Sequence, residues 1–405
     1  MSQTIDQIGE GVHILEHLEN PYPLYTALRE QKAIVFNPDI NAWLVSRYED
    51  AHTILAQPEI FSSRNLINPP MSPAVLGILM QGYPWTPVAI DSDGLNHQRF
   101  RAPHTKGFSA ARTKAREEGI RALAHRLVDA FIDDGHADLI SQFAYPFSLE
   151  TILNVLGIPQ DHMVEVKQWG RDLTDLLFAV VPEERQVACA KGVVAFQHYM
   201  AELIEQRRTH PEDGELDALI GYQVPGAEPL SLFELISGMM GFVTVGHRTT
   251  LDACGTGLAL LLQTPALWQR ICAQPDLIPS AVEEILRYES AAGTLSRVTT
   301  QEVEIGGVTL PEGAKLVVLL GSANRDGQQF PGADVFDIQR AQNRHVAFGH
   351  GVHFCVGAPL ARLELRIALE TLAQRIPTLR LAPNQQLAHN PILIFRGLEK
   401  LEVEW

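Results

Sequence analysis

The feature that most constrains this chain is the segment 348–357, F-G-H-G-V-H-F-C-V-G, in which three glycines surround one cysteine. Glycine adopts backbone angles that other residues avoid and allows close approach to a flat ligand. Pro359 follows, and proline favours the first turn of a helix. A thiolate at a helix N-terminus meets backbone N–H donors and a favourable dipole. The segment therefore predicts a loop that presents the Cys355 thiolate as a ligand.

The other three cysteines, Cys189, Cys254 and Cys272, show no such surroundings. None of the four cysteines forms a C-x-x-C pair, which argues against a zinc site or a dithiol redox motif. A lone cysteine in a reducing compartment is by default a small buried hydrophobe. We predict that role for these three residues.

The composition is that of a soluble globular protein, with 405 residues, 46% of them hydrophobic and 20% charged. The formal net charge of −16 argues against binding to nucleic acid and against adsorption to anionic membranes. The N-terminus has no basic and apolar regions of a signal peptide, and no apolar run reaches the ~18 residues of a membrane span. The chain is therefore expected to be cytoplasmic.

The pattern of apolar residues predicts one domain over 1–405, mainly α with a minor β region. Residues 1–19 form an N-terminal extension, and the proline-rich stretch 64–88 is expected to be a long irregular loop that lines the substrate site. Ser231 and Glu234 are spaced as a helix cap. Helices are predicted at 24–29, across 110–208, and at 230–262, 281–289 and 358–375, and strands at 42–46, within 302–320 and at 392–395.

The segment 348–357 resembles the signature F-G-x-G-x-H-x-C-x-G of the bacterial cytochromes P450 and matches it at every fixed position. The resemblance covers about 20–395. It implies the cytochrome P450 fold, in which haem b (iron protoporphyrin IX) is buried between the long central helix, here 230–262, and the cysteine loop. By this resemblance Cys355 is the iron ligand, and Phe348, Gly349 and Gly357 belong to the cofactor-binding loop.

Two further motifs agree with the resemblance. Residues 284–287, E-I-L-R, resemble the family's E-x-x-R motif, and Arg340 stands where the family supplies a second arginine. The resemblance implies that Glu284, Arg287 and Arg340 form a buried charge network with a structural role. Residues 97–101 resemble the family's H-x-x-x-R helix. The resemblance implies that His97 and Arg101 of this helix bind a haem propionate. Arg297 and His353 stand at the family's other two propionate-binding positions.

The oxygen side departs from the family pattern A-G-x-[D/E]-T, because this chain reads V-G-H-R-T at 245–249. Gly246 and Thr249 match, but Arg248 replaces the acid that helps to deliver protons. Arginine cannot act as a general acid or base near neutral pH. Three interpretations stay open for Arg248. It forms an ion pair elsewhere in the protein, or it binds an acidic group of the substrate. Otherwise protons come from water, Thr249 or the substrate, or the enzyme uses peroxide.

The substrate pocket is expected from the same resemblance to be mostly apolar and therefore to take a hydrophobic organic molecule. The predicted lining residues are Met80, Tyr83, Trp85, Val88, Phe178, Phe242, Val245, Thr294, Leu295, Ile394 and Phe395.

The resemblance implies a monooxygenase that hydroxylates or epoxidises a hydrophobic small molecule with dioxygen. The substrate could carry a carboxylate that Arg248 reads. No reductase domain follows before Trp405, so the electrons are expected from a separate ferredoxin or flavodoxin with its reductase, and the protein is expected to be a monomer. Two alternatives remain: a peroxide-using or non-hydroxylating P450 (coupling, desaturation or rearrangement), and a haem-based ligand sensor.

Overall fold

The computed structural model describes residues 12–64, 69–212 and 214–405. Part of the predicted N-terminal extension, residues 1–11, therefore lies outside the described residues. The α-helices are α1 Tyr22–Gln31, α2 Tyr48–Ala56, α3 Pro73–Leu79, α4 Gly94–Gly107, α5 Ala110–Ala115, α6 Glu117–Asp129, α7 Tyr145–Leu156, α8 Met163–Phe178, α9 Glu183–Thr209, α10 Glu215–Ile220, α11 Leu232–Gln263, α12 Pro265–Ala273, α13 Ile278–Tyr288, α14 Leu320–Ala323 and α15 Ala358–Arg375.

The strands are short and fewer. They are β1 Ile34–Asn37, β2 Ala42–Val45, β3 Phe61–Ser62, β4 His136–Asp138, β5 Thr294–Thr299, β6 Val303–Ile305, β7 Val308–Leu310, β8 Lys315–Leu319, β9 Arg380–Leu381 and β10 Glu402–Glu404. The predicted mainly α fold with a minor β region is confirmed. None of the helices formed by the described residues is long and apolar enough to cross a membrane.

The described residues form two compact units. The first unit takes its residues from 12–62, 117–145 and 249–405, and the second from 63–116 and 146–248. The chain passes from the second unit to the first within α11, between Arg248 and Thr249.

The first unit contains a five-stranded sheet in the order β1-β2-β8-β5-β3. Strands β2 and β8 are parallel, and the other neighbours are antiparallel. Strand β8 is apolar after Lys315 because both of its faces are covered. Leu316 and Val318 join one apolar cluster, and Val317 and Leu319 join another. This two-sided burial explains why the strand reads as a continuous apolar run instead of an alternating one.

The second unit is built around the packed helices α8 and α9. A Cβ atom at Gly192 on α9 would lie 2.1 Å from Oδ2 of Asp172 on α8, so this contact needs a glycine. Arg185 then donates from Nη2 to Asp172 at 2.8 Å and to Asp175 at 2.6 Å, which ties the start of α9 to the end of α8.

The predicted cap of the central helix is present. The Ser231 backbone N–H donates to the Glu234 carboxylate at 2.8 Å, and the Glu234 N–H donates to Ser231 Oγ at 3.3 Å. These reciprocal bonds satisfy N–H groups that have no partner within the helix. Helix α11 accordingly begins at Leu232, and α15 spans the predicted 358–375.

Two predicted elements are wrong. The stretch 64–88 is not irregular throughout, because Pro73 starts helix α3 and the Ser72 hydroxyl accepts a hydrogen bond from the Val75 N–H. Its residues 65–68 lie outside the described residues. Residues 392–395 form no strand and make only an isolated bridge between Phe395 and Ala292. The last strand is β10. Both errors arise because a proline count and an apolar run are weak local signals that capping and tertiary pairing override.

Candidate active site

The cysteine loop lies immediately before α15 in the first unit. Gly349 and Gly351 have φ angles of +71° and +72°, which disfavour any residue with a Cβ atom. The Cys355 N–H donates to the Phe348 carbonyl at 2.9 Å, and the Phe354 N–H donates to the Gly351 carbonyl at 3.0 Å. These bonds close the loop so that Cys355 lies just before the N-terminus of an 18-residue helix.

Exposure separates Cys355 from two of the other cysteines. Cys189 and Cys254 are buried, and burial raises the pKa of their thiols to about 11 and about 12. Cys355 and Cys272 are half-buried. Burial also raises the pKa of Cys272, which lies at the end of α12, away from a helix N-terminus. Cys355 alone among the four combines partial exposure with an adjoining helix N-terminus, and that favours a thiolate.

Helix α2 packs against the cysteine loop. The His350 ring packs on the His52 ring with a centroid separation of 3.8 Å. A Cβ atom at Gly351 would lie 2.5 Å from the Leu55 carbonyl oxygen. The loop backbone therefore approaches the last turn of α2 as closely as a glycine permits.

Residues of the predicted charge network lie together in the first unit. Glu284 is fully buried and accepts hydrogen bonds from Arg287 Nε at 2.8 Å and Nη2 at 2.7 Å. Arg340 Nε donates to the same carboxylate at 3.1 Å. Asn343 Nδ2 adds a further bond at 3.1 Å. Every charge in the group thus has a partner of opposite charge, as a buried ion pair requires.

The sequence analysis missed a second acidic residue next to this network. Glu283 accepts from Arg362 Nε at 2.7 Å and Nη2 at 2.9 Å, and it lies 3.3 Å from His345 Nε2. Burial alone would raise the pKa of Glu283, but the bonds from His345 and Arg362 lower it to about 2. The Arg362 guanidinium also lies 4.6 Å from the centre of the Phe348 ring. This group joins α13 and α15 to the first residue of the cysteine loop, and no local pattern could have indicated it.

The predicted propionate ligands divide between the units. His97 and Arg101 lie four residues apart on α4 of the second unit, and His97 is buried. Burial, with the neighbouring Arg101 charge, lowers the pKa of His97. Arg297 on β5 and His353 in the cysteine loop lie in the first unit, where Arg297 is buried and donates to the Ser296 carbonyl at 2.7 Å.

The predicted oxygen-side residues lie on α11. A Cβ atom at Gly246 would lie 2.6 Å from Cγ1 of Ile152, so the space beside this glycine is filled by a side chain of α7. Close helix packing is therefore one reason for a glycine at this position. His247 is buried, its Nδ1 lies 2.7 Å from the Val243 carbonyl, and burial with the nearby Arg248 and Lys167 charges lowers its pKa to about 4. Arg248 and Thr249 are half-buried.

The predicted pocket residues of the second unit differ in exposure. Met80 is 85% exposed, so its side chain lies in solvent. Tyr83 is held by Gln197, which accepts from its N–H at 3.0 Å and donates to its carbonyl at 2.8 Å. The Phe242 ring packs on the buried His104 ring at 3.8 Å. Trp85 and Phe178 are half-buried, Val88 is buried and Val245 is 38% exposed.

The pocket residues predicted in the first unit lie on two neighbouring segments. Thr294 and Leu295 start β5, and Phe395 pairs with Ala292 just before that strand. Thr294 and Phe395 are buried, whereas Leu295 and Ile394 are half-buried. The structure therefore brings these four residues into one region of the first unit.

Comparison with known proteins shows the family. The cytochrome P450 family model matches residues 274–390. Cytochrome P450 107B1 of Saccharopolyspora erythraea is 37% identical over 90% of this chain and 89% of its own length. Mycinamicin IV hydroxylase/epoxidase of Micromonospora griseorubida is 35% identical over 90% of this chain and 89% of its own length. The solved structure of cytochrome P450 CREJ in complex with (4-ethylphenyl) dihydrogen phosphate superimposes with a TM-score of 0.90 at 31% identity, covering 95% of this chain and 97% of that one.

The chain belongs to the cytochrome P450 family. It is a bacterial P450 monooxygenase, and its cofactor contains haem iron. The family indicated by the cysteine-loop resemblance, the predicted fold and the predicted enzyme class are thereby confirmed.

Proposed function

We propose that this protein uses haem b, bound through the Cys355 thiolate, to oxidise a hydrophobic small organic molecule. The observation that carries the proposal is the half-buried Cys355 at the start of α15, in a loop closed by the bond to Phe348 and shaped by two glycines of positive φ. The residues present fit the group, because a thiol so placed favours the thiolate that haem iron binds. When bound, the haem supplies the activation of dioxygen.

The chain's own residues have separate parts in the proposal. Phe348, Gly349 and Gly357 shape the loop around the sulfur. His97 and Arg101 of the second unit, and Arg297 and His353 of the first, remain the proposed propionate ligands, because a carboxylate accepts charge-assisted bonds from such groups. The Thr249 hydroxyl is the proposed donor on the oxygen side. Hydroxylation or epoxidation is proposed as the outcome, with electrons from a separate ferredoxin or flavodoxin.

The charge of Arg248 is relevant to the chemical class of the substrate. An arginine is always charged and binds carboxylates or phosphates through two parallel hydrogen bonds. The related P450 CREJ binds an organic phosphate ester, which supports an anionic ligand as one candidate class. The alternatives are an ion pair within the protein or altered proton delivery, which would favour peroxide use or a non-hydroxylating reaction.

The first test is a ligand titration of the purified ferric protein. Dodecanoic acid and dodecan-1-ol differ in one end group, and each is followed by the haem spin-state shift in wild type and in Arg248→Ala. If Arg248 binds the anion, the acid binds at least tenfold more tightly than the alcohol to wild type, which corresponds to about 1.4 kcal/mol, and the preference vanishes in the variant. Equal affinities for the acid and the alcohol in both proteins would show that Arg248 does not bind an anionic group of the substrate.

The second test addresses the enzyme reaction. Substrate-dependent consumption of oxygen with a surrogate ferredoxin and its reductase supports the monooxygenase. Turnover with hydrogen peroxide alone supports the peroxide-using alternative. Reversible ligand binding with no sustained consumption of either oxidant would indicate a sensor. The cytoplasmic location, the single domain and the monomeric state stay predictions.

A further inference from the structure

The segment that carries Ile394 and Phe395 is the tip of a hairpin in the first unit. The hairpin is closed by a hydrogen bond from the Glu399 N–H to the Ala388 carbonyl at 3.0 Å and one from the Asn390 N–H to the Gly397 carbonyl at 2.9 Å. The tip meets the chain before β5 at an isolated bridge, where the Arg396 N–H donates to the Ala291 carbonyl and the Gly293 N–H donates to the Ile394 carbonyl, each at 2.9 Å. An isolated bridge holds a segment less firmly than a sheet does, so side-chain contacts contribute to the position of the tip.

The Arg396 side chain supplies those contacts. Its Nε donates to the buried Glu289 carboxylate, which lies at the end of α13. Its Nη1 donates to the carbonyl oxygens of Leu18 at 3.1 Å and Glu19 at 3.2 Å, and Nη2 donates to Glu19 again at 3.2 Å. A planar guanidinium with several donors fixes both position and orientation, which a lysine cannot do.

Glu289 is itself held by a second arginine. Arg325 Nη2 donates to it at 3.2 Å, and the Arg325 guanidinium lies between the Tyr22 and Tyr288 rings, 3.4 Å and 3.6 Å from their centres. The Glu289 carboxylate that binds Arg396 is therefore held in place, because its other partner, Arg325, is stacked between two aromatic rings.

The other side of the tip touches the central helix. A Cβ atom at Gly397 would lie 1.8 Å from Oδ1 of the buried Asp252, so the hairpin backbone approaches α11 as only a glycine allows. Asp252 is three residues after Thr249, and residues three apart share a face of a helix. The tip is thus fixed between the Arg396–Glu289 pair and the stretch of α11 that follows Thr249.

We propose that Arg396 is a positioning residue that sets which bulky ligands this enzyme accepts, by holding Ile394 and Phe395 in place through Glu289 and the carbonyl oxygens of Leu18 and Glu19. The inference rests on the proposed function, in which Ile394 and Phe395 line the substrate pocket. Arg396 itself touches neither substrate nor haem in this role.

The test compares a small and a bulky ligand of haem iron on the haem-loaded full chain. Imidazole needs only the iron, whereas clotrimazole carries three aryl groups that need the pocket walls. Dissociation constants come from spectral titration of the ferric protein. The preference is the dissociation constant of imidazole divided by that of clotrimazole. We expect Arg396→Gln to lower this ratio at least tenfold and Glu289→Gln to lower it as well. Arg396→Lys should give a ratio between those of Arg396→Gln and wild type.

The matched control is Arg380→Gln. Arg380 also lies near the C-terminus and forms an ion pair with Glu404 at 3.2 Å, but its side chain is 57% exposed and it lies on β9, outside the hairpin. It should leave the preference unchanged. A preference within twofold of wild type in haem-loaded Arg396→Gln, or an equal loss in Arg380→Gln, would overturn the inference. If Arg396→Gln fails to retain haem, Glu289→Gln decides by the same twofold limit.

The wild type separates this inference from the proposed function. A wild type that binds imidazole but shows no preference for clotrimazole has no hydrophobic pocket of the proposed kind, and both proposals fail. A wild type with a clear preference that Arg396→Gln leaves unaltered overturns only the role of Arg396.

Discussion

Gly351 of the cysteine loop and Leu55 at the end of α2 are in direct backbone contact, with the site of a missing Cβ atom 2.5 Å from the Leu55 carbonyl oxygen. Gly351 also has a φ angle of +72°. Two separate physical constraints therefore require glycine at this position, four residues before Cys355. One is the left-handed backbone conformation, and the other is the lack of space for a Cβ atom. They can be told apart by experiment.

We expect Gly351→Ala to cost more stability than Gly313→Ala. Gly313 has a φ angle of +79° but no atom within 4 Å of its missing Cβ, so alanine there adds only backbone strain of roughly 1–2 kcal/mol. Alanine at 351 adds the same strain and must also displace the α2 backbone. Chemical unfolding of both variants, with the haem content of each, checks this. Equal costs would mean that the contact with Leu55 is not restrictive.

Removing one partner of the buried Glu284–Arg287 pair should be strongly destabilising. Arg287→Met removes two charge-assisted bonds from the buried Glu284 carboxylate and leaves Arg340 as its cationic partner. Breaking a buried ion pair costs about 3–5 kcal/mol, and we expect a loss near the lower end because Arg340 remains. The free energy of unfolding measures the effect. The control is Glu205→Gln, which breaks an exposed pair with Arg208 one helical turn away and should change stability by less than about 1 kcal/mol. Similar losses in both variants would contradict a special role for burial.

The buried His247 should make the protein less stable in mild acid. Its pKa is about 4 in the folded protein against an ordinary value of 6.5, because burial disfavours the charged ring. The unfolded chain therefore takes up a proton that the folded chain refuses, and stability falls as the pH drops from 6.5 towards 4. Between pH 7 and pH 5 this group should account for roughly 2 kcal/mol.

The measurement is the free energy of unfolding of wild type and His247→Gln across that range. As the pH falls, the free energy of unfolding of the wild type should decrease more than that of His247→Gln. His210→Gln, at an exposed position just after α9, is the control and should follow the wild type. A wild-type profile parallel to that of His247→Gln would show that His247 is not held neutral by burial.

Cys355→Ala should abolish the thiolate-ligated haem spectrum, whereas Cys272→Ala should retain it. Both cysteines are half-buried, so a difference between the two variants reflects the position of the cysteine in the fold and not its exposure. Only Cys355 precedes a long helix in a loop with positive-φ glycines. The absorption spectrum of the ferrous carbonyl complex reports the thiolate directly. A Cys355→Ala protein with an unaltered spectrum would exclude Cys355 as the ligand.

Local patterns predicted much of the site. The cysteine loop, the helix 358–375, the Ser231–Glu234 cap and the Glu284–Arg287 pair are all set by residues close in sequence, whose spacing is meaningful by itself. The same logic failed for 392–395, where an apolar run suggested a strand. A strand depends on a partner elsewhere in the chain, and that partner offers only one bridge.

By itself the sequence determined the family, through the match of 348–357 to a known signature. It also determined the cysteine loop and the positions of the main helices, because these follow from glycine conformation, helix capping and apolar periodicity over short distances. Only the tertiary structure decided that Ile152 fills the space at Gly246, that Glu283 joins His345 and Arg362, and that Arg396 holds the hairpin tip through Glu289. Glu289 and Arg396 are 107 residues apart. Contacts of that span depend on how the whole chain packs, and no local spacing encodes them.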